Sequence, residues 1–168
     1  MIELMFAIAL ATAIPLGVLL TMDLLTDHPG APGRAGVLVG FGAVAAIAAF
    51  VPSRGLLAAL IAGPWWLVAS GLGVVVLVRV GRDLAGRRLR AEPWGVSAAV
   101  AVGFLAVGAT WLVIDRAGIQ LFGFDRTIVL LTAVHFHVAG FVLTLAGSLA
   151  ARERPGLGIH AALVALVV

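Results

Sequence analysis

Apolar residues in this chain come in unbroken blocks of about 17 or more, the length a membrane span needs, with charges confined to the short stretches between them. Such a block has one stable local structure. In hydrocarbon every backbone N–H and C=O must be satisfied inside the segment, so a single apolar run becomes a helix. Composition agrees: 62% of the residues are hydrophobic, 11% are charged, and the mean hydropathy is +1.18. A soluble domain of this length must turn a polar surface to water and has no use for so much apolar residue. The expected fold class is all-α: a polytopic membrane protein with five transmembrane helices and the start of a sixth, forming one domain over residues 1–168.

The first run, 3–22, carries Glu3 where a signal peptide would carry basic residues, and it continues past the small residues at 11–13. It is therefore expected to stay as a first helix, kinked near Pro15. The second run, 35–51, offers Gly36, Gly40, Gly42 and Ala43 as a small-residue face for close helix contact. Pro52-Ser53-Arg54 is a tight turn, which makes the second and third helices antiparallel neighbours. The third run, 55–78, holds Gly63-Pro64-Trp65-Trp66. Adjacent Trp often mark a membrane interface, but these lie roughly 15 Å into the span at helical rise. They are expected to be core aromatics beside a proline kink.

Helix four, 93–114, opens on Glu92-Pro93-Trp94, with Pro in the first turn, where its missing N–H costs nothing. Trp111 and the pair Asp115-Arg116 lie at its far end. Asp125 is the expected N-cap of the fifth helix, 126–151. The run from 157 carries His160 and stops at Val168 after about twelve residues, too few to span. The sequence is thus expected to be a fragment or short form of something longer.

All eleven basic residues are Arg. Eight (Arg34, Arg79, Arg82, Arg87, Arg88, Arg90, Arg152, Arg154) fall in the odd-numbered connections, and three (Arg54, Arg116, Arg126) on the other side. Positive loops stay in the cytoplasm, so the N-terminus is expected outside. The formal charge of +3 therefore reads as a topology signal, and nucleic-acid binding is not expected. Arg79, Arg82, Arg87, Arg88 and Arg90 could contact anionic lipid, although an anchoring role suffices to explain them. Asp83 and Arg87 are spaced to pair on a helix surface.

The absence of Cys removes disulfides, thiolate nucleophiles and thiolate metal sites. The absence of Lys removes Schiff-base cofactors and the P-loop. Zinc-protease and nucleophile-elbow motifs are missing. No flavin, nucleotide or Schiff-base cofactor is indicated.

Polar chemistry inside the apolar blocks concentrates at His135 and His137. His135 lies nine residues after Arg126, about 14 Å deep at helical rise. Intramembrane ionisable residues are expensive and raise a functional-site hypothesis. Positions i and i+2 on a regular helix are about 200° apart, so the two rings should not share one ligand unless the helix is broken near Gly140. The face of His137 continues through Ala133, Gly140, Phe141 and Thr144, and that of His135 through Thr132, Val138, Ala139 and Val142. Gly140 and Thr144 tip the interior position to His137. The candidate intramembrane site is therefore His135, His137, Thr132, Thr144 and Trp111, with the two histidines as candidate ligands of a metal ion or haem. Asp23, Asp27, His28 and His160 form a weaker cluster at the cytoplasmic face, able to bind a divalent ion, although its loop setting favours plain solvation.

The segment Leu130-Leu131-Thr132-Ala133-Val134-His135-Phe136-His137, with Ala139-Gly140-Phe141, resembles the hallmark segment of the YndJ-like family of bacterial polytopic membrane proteins. Trp111 and Gly123-Phe124-Asp125 fit the same pattern, and the resemblance is strongest over residues 104–145. It implies a helical protein of the bacterial cytoplasmic (inner) membrane in which His135 and His137 matter, and it transfers no reaction. Three functions stay open: a histidine site for a metal, haem or lipid-like substrate; a small-solute or proton-coupled permease with a histidine relay; and a structural or assembly subunit.

Overall fold

The computed structural model describes residues 2–11, 13–18, 31–85 and 93–153. Among these the chain is all-helical. The helices are α1 (Ile2–Ala11), helix again over 13–18, α2 (Ala31–Ala48), α3 (Leu56–Ala85), α4 (Pro93–Ala117), α5 (Arg126–His135) and α6 (Thr144–Glu153). A π-helical stretch, Phe136–Leu143, joins α5 to α6. Asp23, Asp27, His28, His160, Arg87, Arg88 and Arg90 lie outside the described residues.

Among the described residues, three helical stretches are long and apolar enough to cross a membrane: Leu56–Arg82, Ser97–Ala117 and Arg126–Ala150. Phe6–Val18 and Gly36–Ala48 are apolar but shorter. The outer surface matches a hydrocarbon solvent, with Val37, Phe41, Leu57, Leu67 and Leu77 all more than half exposed. In water a bare apolar surface of this kind would drive association.

Neighbours in sequence are neighbours in space. The most extensive contact is α3 against α4; α2 also packs on α3, α1 on α2, and α5, the π segment and α6 all lie along α4. The turn at 52–55 reverses the chain as expected from its Pro and Ser. Gly55 has φ +147° and donates its N–H to the Arg116 carbonyl at 2.8 Å. A side chain at this position would be strained.

Some boundaries differ from expectation. Helix α3 continues past Val78 to Ala85, because the side chains of Arg79 and Arg82 extend outward without disturbing the backbone ladder. Helix α4 continues past Ile114 to Ala117, so Asp115 and Arg116 belong to it. On α2 the expected small-residue face is only partly used. A Cβ at Gly42 would meet Trp65 at 3.0 Å and Ala43 is buried, whereas one at Gly40 would meet nothing. Asp125 caps α5 as its position predicts, accepting the Ile128 N–H at 3.1 Å.

Candidate functional site

The two histidines part company. His137 has no exposed surface, and its face is interior throughout: Ala133, Gly140, Phe141 and Thr144 are all buried. His135 is exposed, its ring edge-on to Phe136 at 5.7 Å. The side chains that share its face are half-buried, so the ring of His135 itself opens outward. The helix is not broken here; it passes through π-helical turns over Phe136–Leu143, which include Gly140. Thr144 Oγ1 reaches back five residues to the Ala139 carbonyl at 3.4 Å, and Thr132 Oγ1 donates to the Ile128 carbonyl at 2.7 Å.

Both ring nitrogens of His137 are engaged. Trp65 Nε1–H donates to Nε2 at 2.9 Å, and Nδ1 lies 2.7 Å from the Ala133 carbonyl. An indole N–H can only donate and a carbonyl can only accept. Nδ1 therefore carries the proton and Nε2 offers its lone pair, which fixes a neutral imidazole in one tautomer. That state uses every hydrogen-bonding capacity of the ring, as a polar group in an apolar interior must. The surroundings are apolar: Phe6 meets the ring edge-on at 5.0 Å, and Trp65 lies 26° from its plane.

Glycines make the fit possible. A Cβ at Gly108 on α4 would come within 2.5 Å of His137 Nδ1, so the imidazole lies directly on the α4 backbone. Reciprocally, a Cβ at Gly140 would meet Phe104 of α4 at 2.8 Å. Close approach through small residues is how helices associate where lipid removes the hydrophobic drive between them. Trp65 occupies the core position expected of it, while Trp66 is exposed and donates to Thr110 Oγ1 at 3.1 Å. Trp111 is half-buried against the core cluster and makes no contact with the His137 ring among the described interactions.

A second polar region lies at the end of the bundle where α4 stops and α5 starts. Asp115 and Arg116 are 2% and 3% exposed. Arg116 donates to Asp115 Oδ2 at 3.4 Å and to the Pro52 carbonyl at 3.3 Å, and its guanidinium stacks over Phe50 at 4.7 Å. Arg126 Nε stands 3.6 Å from Asp115 Oδ1, and Arg126 also pairs with Glu3. Asp115 Oδ1 and Arg116 Nε are buried without a hydrogen-bond partner. Beside Asp115 is a cavity of about 100 Å³, also lined by Arg54, Gln120, Phe124 and Arg126.

In the sequence Arg54, Arg116 and Arg126 carry a topology signal, and their spacing does not join them into a site. The signal available was Asp115-Arg116, an adjacent opposite pair next to an apolar span. Trp65 as the partner of His137 had no local signal at all. Among the described residues, no three His, Asp or Glu side chains gather to hold a metal ion.

Compared with known proteins, the chain matches the family described as YndJ-like protein over residues 4–168. No curated protein matches, and no solved structure matches.

Proposed function

The chain belongs to the YndJ-like protein family, and on that premise we propose that it is an integral membrane protein in which His137 holds the bundle together, the protein acting as a structural or assembly component. The observation that carries this reading is the engagement of both His137 nitrogens in a fully buried ring. A metal or haem on Nε2 would have to displace the Trp65 N–H, and a buried donor left unpaired costs about 1–3 kcal/mol. A proton relay needs a second titratable group in reach, whereas Phe6, Trp65, Gly108 and Ala133 around the ring do not titrate. A ligand-binding histidine is better supported at His135, whose ring is open to the surroundings.

The topology belongs to the same proposal: five crossings, the N-terminus outside, the Arg-rich connections in the bacterial cytoplasm, and a further run from 157. Arg79 and Arg82 are exposed at the end of α3 beside an open groove lined by Val74, Val75 and Val78. Acyl chain and anionic head group would both find a partner there. Reporter fusions after Arg90 and after Gly118 test the orientation: an external-type signal at Arg90 would overturn it. Metal analysis and a visible absorption spectrum of the purified protein test the role of His137. The expectation is no stoichiometric metal and no Soret band. A stoichiometric metal or haem lost in His137→Ala would sink the structural reading.

A further inference from the structure

The charged end of the bundle has the makings of a ligand site that the role of His137 does not touch. Glu3, Arg54, Asp115, Arg116 and Arg126 come from α1, the turn before α3, the end of α4 and the start of α5. Three positive and two negative groups leave one positive charge in surplus. Asp115 is almost wholly buried and lines the cavity, and its Oδ1 has no hydrogen-bond partner. Its ion-pair contact with Arg126, at 3.6 Å, is too long for a hydrogen bond, so this buried carboxylate oxygen can still accept one from a donor. Arg54, exposed and on the same cavity, has no ion pair among the described residues, and Arg126, also exposed there, shares its charge between Glu3 and Asp115. The cavity, at about 100 Å³, has room for more than one water but takes only the polar end of a molecule.

Where the cavity lies narrows the class of that molecule. It sits between the apolar stretches Ser97–Ala117 and Arg126–Ala150, which is the head-group level if these cross a bilayer. The loop beside it exposes large apolar groups: Phe122 is 80% exposed, Ile119 53% and Phe124 40%. The Phe122 and Phe124 rings stand 6.2 Å apart. An apolar loop tip next to paired cations suits a surface where hydrocarbon meets phosphate.

We propose that the cavity formed by Arg54, Asp115 and Arg126 binds a phospholipid head group whose phosphate carries a neighbouring hydrogen-bond donor, as the ammonium of phosphatidylethanolamine does. The phosphate pairs with the Arg54 and Arg126 guanidiniums, the donor with Asp115 Oδ1, and the acyl chains lie along Ile119, Phe122 and Phe124. Phosphatidylcholine offers the same phosphate without a donor, so it satisfies the arginines and leaves Asp115 as it is. A hydrogen bond to a charged group corresponds to a preference of about tenfold or more.

This proposal rests on the membrane reading, which fractionation of the protein with bilayers tests separately. The experiment is native mass spectrometry of the full chain in detergent with equal amounts of phosphatidylethanolamine and phosphatidylcholine. About tenfold retention of the former is expected, and retention of both lipids should fall when Arg54→Gln and Arg126→Gln are combined. Both arginines are exposed, but Arg126 also pairs with Glu3 and Asp115, so the melting temperature of the double variant is measured alongside to confirm that it remains folded. Equal retention of the two lipids, or retention of both that is unchanged by the double substitution, overturns the proposal. Soluble phosphoethanolamine is added in a separate arm. If it displaces the lipid at comparable concentration, the site belongs to a free phosphate compound and the lipid assignment fails.

Discussion

His137 and Asp115 are both polar side chains with almost no exposed surface, yet their surroundings solve the problem of burial in opposite ways. At His137 a neutral ring meets one donor and one acceptor, and nothing is left over. At Asp115 charges compensate charges at 3.4 and 3.6 Å, Asp115 Oδ1 and Arg116 Nε make no hydrogen bond, and a cavity adjoins them. The first arrangement is complete, as a structural contact should be. The second leaves polar atoms beside a cavity, the arrangement that the proposed head group would complete. The two are physically joined, since Phe6 touches the His137 ring and the Phe50 ring, and Phe50 carries the Arg116 guanidinium.

The sharpest way to break this contrast is Asp115→Ala. Removing one partner of a buried ion pair leaves the other charge uncompensated, at about 3–5 kcal/mol. Thermal unfolding in detergent should show a large loss for this variant. Little change would mean that water reaches Arg116 freely, and the buried pair would lose its meaning. Next comes His137→Ala, which strands the Trp65 N–H at about 1–3 kcal/mol and adds a cavity beside Phe6 and Gly108. The same melt measures it, and Trp65 fluorescence should change as its hydrogen bond is lost.

Trp65→Phe sharpens the comparison, because it removes the donor to Nε2 while keeping an aromatic ring. Interhelical hydrogen bonds in membrane proteins average about 0.6 kcal/mol and reach about 1.7 kcal/mol, so a modest loss is expected. In this variant Nε2 is free, and titration with a divalent metal should reveal affinity there if the Trp65 bond is what blocks it. The smallest effect belongs to His135→Ala, within about 0.5 kcal/mol as for other exposed positions. A loss equal to that of His137→Ala would refute the division between the two histidines.

Much of this was legible in the chain itself. Helices follow from apolar blocks, since hydrocarbon-like surroundings leave the backbone no other partner. The N-cap at Asp125 and the reversal at Pro52-Ser53-Arg54 follow from local backbone chemistry. The separation of His135 from His137 follows from helical geometry, and Gly140 and Thr144 pointed to the interior one. Of the five expected spans, three described stretches are long and apolar enough to cross a membrane, and Phe6–Val18 and Gly36–Ala48 are apolar but shorter. The cluster of Asp23, Asp27, His28 and His160 falls outside the described residues.

What the sequence determined alone is thus local: which stretches are helical, where they turn, and which side of a helix is small and apolar. Only the tertiary structure decided that Trp65, 72 positions from His137, would saturate its ring, and that Gly108 would leave room for it. It also gathered Glu3, Arg54, Asp115 and Arg126 at one end. Periodicity reports what one helix presents to its surroundings and says nothing of which residue on another helix will face it. That choice depends on the register and rotation at which α1, α3, α4 and α5 pack, and these are set by the summed fit of many side chains.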